Sequence, residues 1–296
     1  MFDSLISFSA LVLPMWLFCM VLVRVALVQF EPGRSKVESL RVIRGLVEGY
    51  EGRPDLIVFP EYSMLDPTGL DAGFIYGEAE DLGGRWVGFF RDLASTRNSC
   101  VVATLFERSG EPPKVYNTVV VIDRGGDIVG VYRKTHLFDI LGYRESSFIA
   151  PGGSLFKPVD VCGLRLGVAI CFELRYPEVF RVQALRGAEA VVVPAGWYRG
   201  PLKEETLRVL AQARSHENVI YTIVAALYGS NFTGRSMVVD PYGVVVVDGG
   251  VGEKVVEAVI DTSLVYKARE KMPLLKLGRW SMLLDEMRGA LSSSSP

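Results

Sequence analysis

Three reactive side chains stand where apolar, strand-like segments of the chain end. Glu61 comes directly after four apolar residues and Pro60, and Lys134 follows a segment rich in β-branched residues. Cys171 follows the apolar run 167–170 and precedes a segment that predicts a helix. A strand-to-helix turn exposes a nucleophile and directs backbone N–H groups at the same point. The cysteine position therefore indicates nucleophilic thiol chemistry, and the chain also places a carboxylate and an ammonium at strand ends.

Each of these residues also has an interpretation without chemistry. A lone glutamate at a strand end is usually solvated, and adjacent cations such as Arg133 and Lys134 commonly lie on the surface. A cysteine after Val-Ala-Ile is often a small buried apolar residue. The positions are therefore informative only as a set.

The elements that must position this set alternate between strands and helices. The expected strands cover residues 21–30, 56–59, 100–106, 119–122, 128–132, 164–170, 190–193, 219–225, 236–239, 244–247 and 255–260, with Pro194 ending the seventh. The expected helices run from an S-x-x-E capping box at Ser35 to about Tyr50, and over about 85–97, 177–187 and 202–217. Hairpins interrupt the alternation, so a simple doubly wound α/β sheet is not the best fit. No linker or repeat divides the chain, which predicts one domain.

The composition of the 296 residues excludes several classes of function. The 32 Lys and Arg against 34 Asp and Glu give a net charge of −2, which argues against nucleic acid as the main partner. The 2 histidines, His136 and His216, leave little room for a histidine-rich metal centre. The 4 cysteines show no CxxC spacing, so neither a zinc ribbon nor a disulfide framework is predicted.

The amino-terminal block is apolar, and residues 5–23 carry no charge. Three interpretations remain open: a mis-assigned start upstream of Met20, a membrane anchor, and a cleaved signal peptide. The mis-assigned start is the simplest, because the last residues of the block also read as the first strand. We therefore expect an extension over 1–19, a domain over 20–285 and a frayed, serine-rich tail over 286–296. Membrane contact through residues 5–19 is possible but not favoured, and a cytoplasmic location is expected.

The motifs around the three residues together resemble the nitrilase superfamily of carbon–nitrogen hydrolases. Glu61 lies in F-P-E, Lys134 in Y-R-K-x-H-L-F-D, and Cys171 begins a C-[YF]-[DE]-x-R-[FY]-P-E run. The resemblance extends from Arg24 to the last strands. It implies a four-layer α-β-β-α sandwich, which is an α/β fold usually assembled into homodimers or higher homo-oligomers.

The resemblance also implies a Glu–Lys–Cys triad that needs no metal and no organic cofactor. A free thiol is only a few per cent ionised at neutral pH, so Glu61 would act as the base that takes the Cys171 proton. Lys134 and the backbone N–H of Phe172 would stabilise the oxyanion. Glu145 matches the second glutamate of the family, which is thought to position the lysine and the substrate.

The residues around the nucleophile favour the Nit-type branch, which includes ω-amidase and deaminated-glutathione amidase. Phe172 stands where this branch usually has Tyr, and Trp197 and Tyr198 would narrow the pocket. Arg175 has two interpretations: it binds a substrate carboxylate, or it forms a structural ion pair with Glu178 or Glu173, which is the one we expect.

Several other functions use the same set of residues. An N-carbamoyl amine hydrolase or a nitrilase would be a related enzyme, and a lipoprotein N-acyltransferase would need more membrane spans than this chain can supply. A catalytically idle binding protein with this fold is the alternative from a different class, and the intact triad argues against it. The sequence therefore predicts an amidase that acts on a small ω-amide through a thioester.

Overall fold

The β-branched segments pair into two six-stranded sheets. A computed structural model of the chain describes residues 21–293. The strands are β1 (Leu22–Gln29), β2 (Leu56–Val58), β3 (Cys100–Arg108), β4 (Val115–Ile122), β5 (Ile128–Arg133), β6 (Val159–Val161), β7 (Leu164–Val168), β8 (Ala190–Ala195), β9 (Tyr221–Ala226), β10 (Met237–Val239), β11 (Val245–Asp248) and β12 (Lys254–Asp261). The helices are α1 (Lys36–Glu48), α2 (Ala72–Glu78), α3 (Arg85–Arg97), α4 (Pro177–Leu185), α5 (Lys203–Asn218), α6 (Thr262–Lys271), α7 (Leu274–Leu277) and α8 (Trp280–Ser293).

The two sheets have the same kind of mixed topology. The first has the order β12-β1-β2-β3-β4-β5, and the second has the order β11-β10-β9-β8-β7-β6. In each sheet three strands are parallel, β1-β2-β3 in the first and β7-β8-β9 in the second, and the flanking strands pair antiparallel. The carboxyl ends of the parallel strands in one sheet lie at the same edge, where α/β folds place their functional loops.

The core lies in layers, as the predicted four-layer α-β-β-α sandwich requires. Along β1, Val25 and Leu27 pack against apolar residues of the second sheet. Ala26 and Val28 point to the other side, into a cluster with residues of α1 and α3. Because both faces of β1 are buried, its sequence reads as an apolar run rather than a clean alternation. Helices α4 and α5 contribute buried residues on the outer side of the second sheet.

The predicted elements are mostly present, with a few corrections. Ser35 does cap α1 by accepting the Glu38 N–H, but the Glu38 carboxylate binds the Arg34 N–H, so the predicted capping box is only half formed. Pro194 does not end β8, which continues to Ala195. The ladder with β7 ends at Val192, so the missing N–H of proline costs no hydrogen bond on that side. The sequence pattern did not predict α2 or the helices after β12.

The cysteine spacing indicated no disulfide framework, but the structure has one disulfide among the described residues, between Cys100 and Cys162. Cys100 begins β3 of the first sheet, and Cys162 lies in the turn between β6 and β7 of the second. The bond therefore joins the two sheets across the core, at a sequence separation of 62. Sequence spacing gave no signal because only the packing of one sheet on the other brings these cysteines together. Cys171 is a free thiol.

The predictions for the two ends of the chain have different outcomes. The frayed tail expected over 286–296 is wrong up to Ser293, because α8 extends to that residue. The extension over 1–19, the start at Met20, membrane contact through 5–19 and the last three residues all fall outside the residues described. Between residues 21 and 293, no helix has the length and apolar character needed to cross a bilayer.

Candidate active site

The three predicted reactive residues meet at one pocket. Glu61 follows β2, Lys134 follows β5, and Cys171 begins a 3-10 turn shortly after β7. All three line the same pocket. The remaining lining residues are Tyr62, Phe138, Phe172, Arg175, Gly196, Trp197, Tyr198 and Lys203. The loops at the strand ends of both sheets therefore bring together three reactive residues, of which Glu61 and Cys171 are 110 positions apart in the sequence.

A buried ammonium between two carboxylates forms the floor of the site. Lys134 Nζ donates to Oε1 of Glu61 at 2.8 Å and to Oε1 and Oε2 of Glu145 at 3.0 and 2.8 Å. The three side chains are at most 1% exposed. Burial lowers the pKa of Lys134, but the charges of Glu145 and Glu61 outweigh it and hold this pKa well above its ordinary value. Lys134 is therefore a cation at neutral pH.

Neutral donors fix the two carboxylates. The Asn117 amide donates to Oε1 of Glu61 at 2.8 Å and to Oε1 of Glu145 at 3.2 Å. The Tyr62 hydroxyl donates to the same oxygen of Glu145 at 2.8 Å, and the N–H of Gly196 donates to Oε2 of Glu61 at 2.8 Å. Each carboxylate is thus held from several directions, which restricts its movement relative to the lysine.

The nucleophile candidate sits in a strained turn. Cys171 has φ of +42°, a left-handed conformation that is uncommon for residues other than glycine. Its side chain is buried at the base of the pocket. Burial raises the pKa of the Cys171 thiol and the charge of Glu61 raises it further, while Lys134 lowers it, so that the pKa lies well above its ordinary value. The thiol is therefore protonated at neutral pH, and any reaction through it requires a base.

Aromatic rings form the walls of the pocket. The ring of Phe172 meets that of Phe138 edge-on at 5.1 Å, and Tyr198 stacks on Phe232 at 5.1 Å. The indole N–H of Trp197 donates to the carbonyl of Lys203 at 2.9 Å, which fixes the Trp197 ring. Phe172, Trp197 and Tyr198 thus line the pocket, as the sequence predicted.

The structural ion pair expected for Arg175 is not formed. The Arg175 guanidinium lies over the Trp197 ring at 4.3 Å and over the Phe172 ring at 5.2 Å. The Glu173 carboxylate accepts hydrogen bonds from other residues, and Glu178 is exposed. Arg175 instead lines the pocket beside Cys171, and burial lowers its pKa.

Several residues of the site were not predicted from the sequence. Asn117 was detectable in principle, because it is a polar residue inside the apolar strand VYNTVVVI and a buried amide needs partners. Lys203 had no signal, since a lysine before Glu204 and Glu205 at a helix start looks like a solvated charge. Its Nζ lies 5.5 Å from the Phe138 ring centre. Burial lowers the pKa of Lys203, and the charge of Arg175 lowers it further.

Comparisons with known proteins show what this chain is similar to. The model of the carbon–nitrogen hydrolase family matches residues 24–270. The chain is 30% identical over 236 residues to the deaminated glutathione amidase of Escherichia coli O157:H7, covering 80% of this chain and 89% of that protein. It is 29% identical over 282 residues to omega-amidase NIT3 of Saccharomyces cerevisiae, covering 89% and 95%. The crystal structure of Saccharomyces cerevisiae Nit3, a member of branch 10 of the nitrilase superfamily, superposes with a TM-score of 0.73 at 25% identity, covering 87% and 97%.

Proposed function

Because this chain belongs to the carbon–nitrogen hydrolase family, we propose that it is an amidase that releases ammonia from a small linear amide. The observation that carries the proposal is the buried group of Glu61, Lys134 and Cys171 at the base of one pocket. Relatives named as amidases support the choice of an amide as substrate. The reaction passes through a thioester on Cys171.

The first step is attack of the Cys171 sulfur on the amide carbonyl. Since the Cys171 pKa is raised, the thiol has to lose its proton during the attack rather than before it. Glu61 takes this proton as the general base, because its carboxylate lies in the same pocket and its two oxygens accept from Lys134 and Gly196. Proton removal and formation of the carbon–sulfur bond leave a tetrahedral intermediate.

The charge of this intermediate develops on the former carbonyl oxygen. Lys134 Nζ and the backbone N–H of Phe172 stabilise it, and removal of one such donor typically costs a factor of about 10² to 10³ in kcat. Glu145 holds Lys134 in place through two hydrogen bonds. Because Lys134 is held before the substrate arrives, little reorganisation is needed when the charge appears.

Glu61 then returns its proton to the nitrogen, and ammonia leaves as the carbon–nitrogen bond breaks. The acyl group stays on Cys171 as a thioester. A water molecule activated by Glu61 attacks this thioester and releases the carboxylic acid and the free thiol. Each residue is thereby returned to its starting state, and the cycle uses neither metal nor organic cofactor.

The substrate carries a carboxylate in addition to its amide. Arg175 and Lys203 both line the pocket, and among residues 21–293 their charged groups lie over aromatic rings and form no ion pair with a carboxylate. Two cations held over aromatic rings without a protein counter-ion fit an anionic group of the ligand. This favours ω-amides of dicarboxylic acids over uncharged amides.

Homo-oligomer formation is part of the proposal. In α8, Leu283 and Leu284 lie four and three residues before Met287, and all three side chains are exposed. Such an apolar stripe on a helix with no buried residue supports packing against another copy of the chain. Size-exclusion chromatography with light scattering would test this, and a monomer at micromolar concentration would contradict it.

An ammonia-release screen tests the proposed activity. The purified protein is assayed against ω-amides of dicarboxylic acids, uncharged amides of matched length, N-carbamoyl amines and nitriles. We expect the ω-amides to be hydrolysed with the highest kcat/KM, and the Cys171→Ala variant to be inactive on all of them. Reaction with nitriles alone, or with N-carbamoyl amines alone, would contradict the amidase assignment.

A further inference from the structure

One buried carboxylate connects the segment that carries Cys171 to the segment that carries Lys134. Glu173 lies in the 3-10 turn Cys171–Arg175 and is completely buried. It is not in the pocket lining, and the mechanism above gives it no task. Its two oxygens accept hydrogen bonds from two different segments of the chain, one around Lys134 and one before Cys171.

One oxygen of Glu173 binds the residues on both sides of Lys134. Its Oε1 accepts from the Tyr132 hydroxyl at 2.7 Å, from the Thr135 N–H at 3.0 Å and from the Thr135 hydroxyl at 2.8 Å. The N–H of His136 donates to the same oxygen at 3.2 Å. Arg133 and Lys134 are the residues between Tyr132 and Thr135, so the backbone of Lys134 is held on both sides by bonds to Glu173.

The other oxygen of Glu173 binds the residue before the nucleophile. Its Oε2 accepts the N–H of Ile170 at 2.8 Å, and the N–H of Glu173 itself donates to the carbonyl of Ile170 at 2.9 Å. Cys171 follows directly, in its left-handed conformation. A conformation of this kind persists only where surrounding bonds enforce it. The two hydrogen bonds between Glu173 and Ile170 enforce the conformation of Cys171 in this way.

We propose that Glu173 is a positioning residue that fixes the distance between the Cys171 sulfur and the Lys134 ammonium. This inference rests on the proposed function, in which the two groups act on the same carbonyl. Cys171 follows a strand of the second sheet and Lys134 follows a strand of the first, and the Glu173 side chain crosses between their loops. A misplacement of about 1 Å costs on the order of 10² in rate for groups that must meet at one atom.

The contacts require a carboxylate rather than an amide. All the backbone and hydroxyl groups around Glu173 donate, so both side-chain oxygens have to accept. Burial raises the pKa of Glu173, but hydrogen bonds from His136, Tyr132, Ile170 and Thr135 outweigh it and lower this pKa overall. In a Glu173→Gln variant the amide nitrogen would face either Ile170 N–H or the donors of the lysine segment. One of the two segments would therefore be released.

The test compares Glu173→Gln and Glu173→Asp with Glu178→Gln in the full chain. Glu178 lies in the neighbouring α4 and is exposed, so it is a matched control for the loss of a charge. We expect kcat for an ω-amide to fall about 10²-fold in Glu173→Gln and about tenfold in Glu173→Asp. KM should stay within about threefold, because the pocket lining is unchanged. The control should match the unmodified protein.

A second readout does not need the substrate. The rate of Cys171 alkylation by iodoacetamide reports how near the Lys134 cation is to the sulfur, and we expect it to fall by about fivefold in Glu173→Gln. If the unmodified protein releases no ammonia, the proposed function fails while the alkylation rates still test the positioning. Folded Glu173 variants with kcat and alkylation rates within twofold of the control would overturn the inference. If Glu173→Gln does not fold, the Asp variant decides by the same criteria.

Discussion

Replacement of Glu145 by glutamine tests the buried ion pair on which the proposed mechanism depends. Oε1 of Glu145 accepts from Tyr62, Asn117 and Lys134, and Oε2 accepts from Lys134 and from the Phe138 N–H at 2.7 Å. All these partners are donors. A glutamine at this position therefore turns its amide nitrogen toward at least two of them, whichever way it is oriented.

The size of the effect follows from these contacts. Two hydrogen bonds to a charged group are lost, each of about 1.5–3 kcal/mol, and the loss of one partner of a buried ion pair costs about 3–5 kcal/mol. These figures describe the same contacts, so we expect the free energy of unfolding to fall by about 3–5 kcal/mol. The released Lys134 also stabilises the oxyanion less well, so kcat should fall by about 10² to 10³.

Two assays measure these changes. Urea unfolding followed by circular dichroism gives the free energy of unfolding, and ammonia release gives kcat at a temperature where the variant remains folded. The exposed Glu270 at the end of α6 provides the control Glu270→Gln, which should change neither quantity. A Glu145→Gln variant with an unfolding free energy within about 1 kcal/mol of the control and kcat within twofold would refute the reasoning.

Three further predictions concern the disulfide, the pocket cations and the nucleophile. Replacing Cys100 and Cys162 by serine should lower the free energy of unfolding by about 4 kcal/mol, because the bond closes a loop of 62 residues in the unfolded chain. Denaturation without reductant measures this, and equal unfolding free energies for the variant and the unmodified protein would show that the bond is absent in solution. Arg175→Met and Lys203→Met should each raise KM for an ω-amide about tenfold or more and leave KM for an uncharged amide nearly unchanged; equal effects on both substrates would exclude a carboxylate contact. Because the Cys171 pKa is raised above its ordinary value of 9.0, the rate of alkylation by iodoacetamide should rise continuously from pH 6 to above pH 9, and a plateau below pH 8 would contradict it.

The reactive residues of the site could be predicted from the sequence because local patterns mark them. Glu61, Lys134 and Cys171 each follow an apolar strand, and residues at the carboxyl ends of strands in an α/β fold meet at one edge. Short motifs around them also resemble a known family. The assignment of strands to two sheets followed from that family rather than from the apolar pattern.

The contacts between segments could not be predicted. The Cys100–Cys162 bond depends on how one sheet packs on the other, which no local spacing encodes. The expected ion pair of Arg175 was wrong for a related reason, since proximity in sequence to Glu173 says nothing about where that carboxylate points. Lys203 enters the pocket only because the helix it begins is packed against the turn of the nucleophile.

The most direct test of the central claim is the mass of the enzyme quenched with acid during turnover of an amide. We predict that peptide mass spectrometry finds the acyl group of the substrate on Cys171, in the fraction expected for a thioester intermediate. The Cys171→Ala variant should carry no adduct and release no ammonia. Ammonia release by that variant, or an acyl adduct on a residue other than Cys171, would contradict the account.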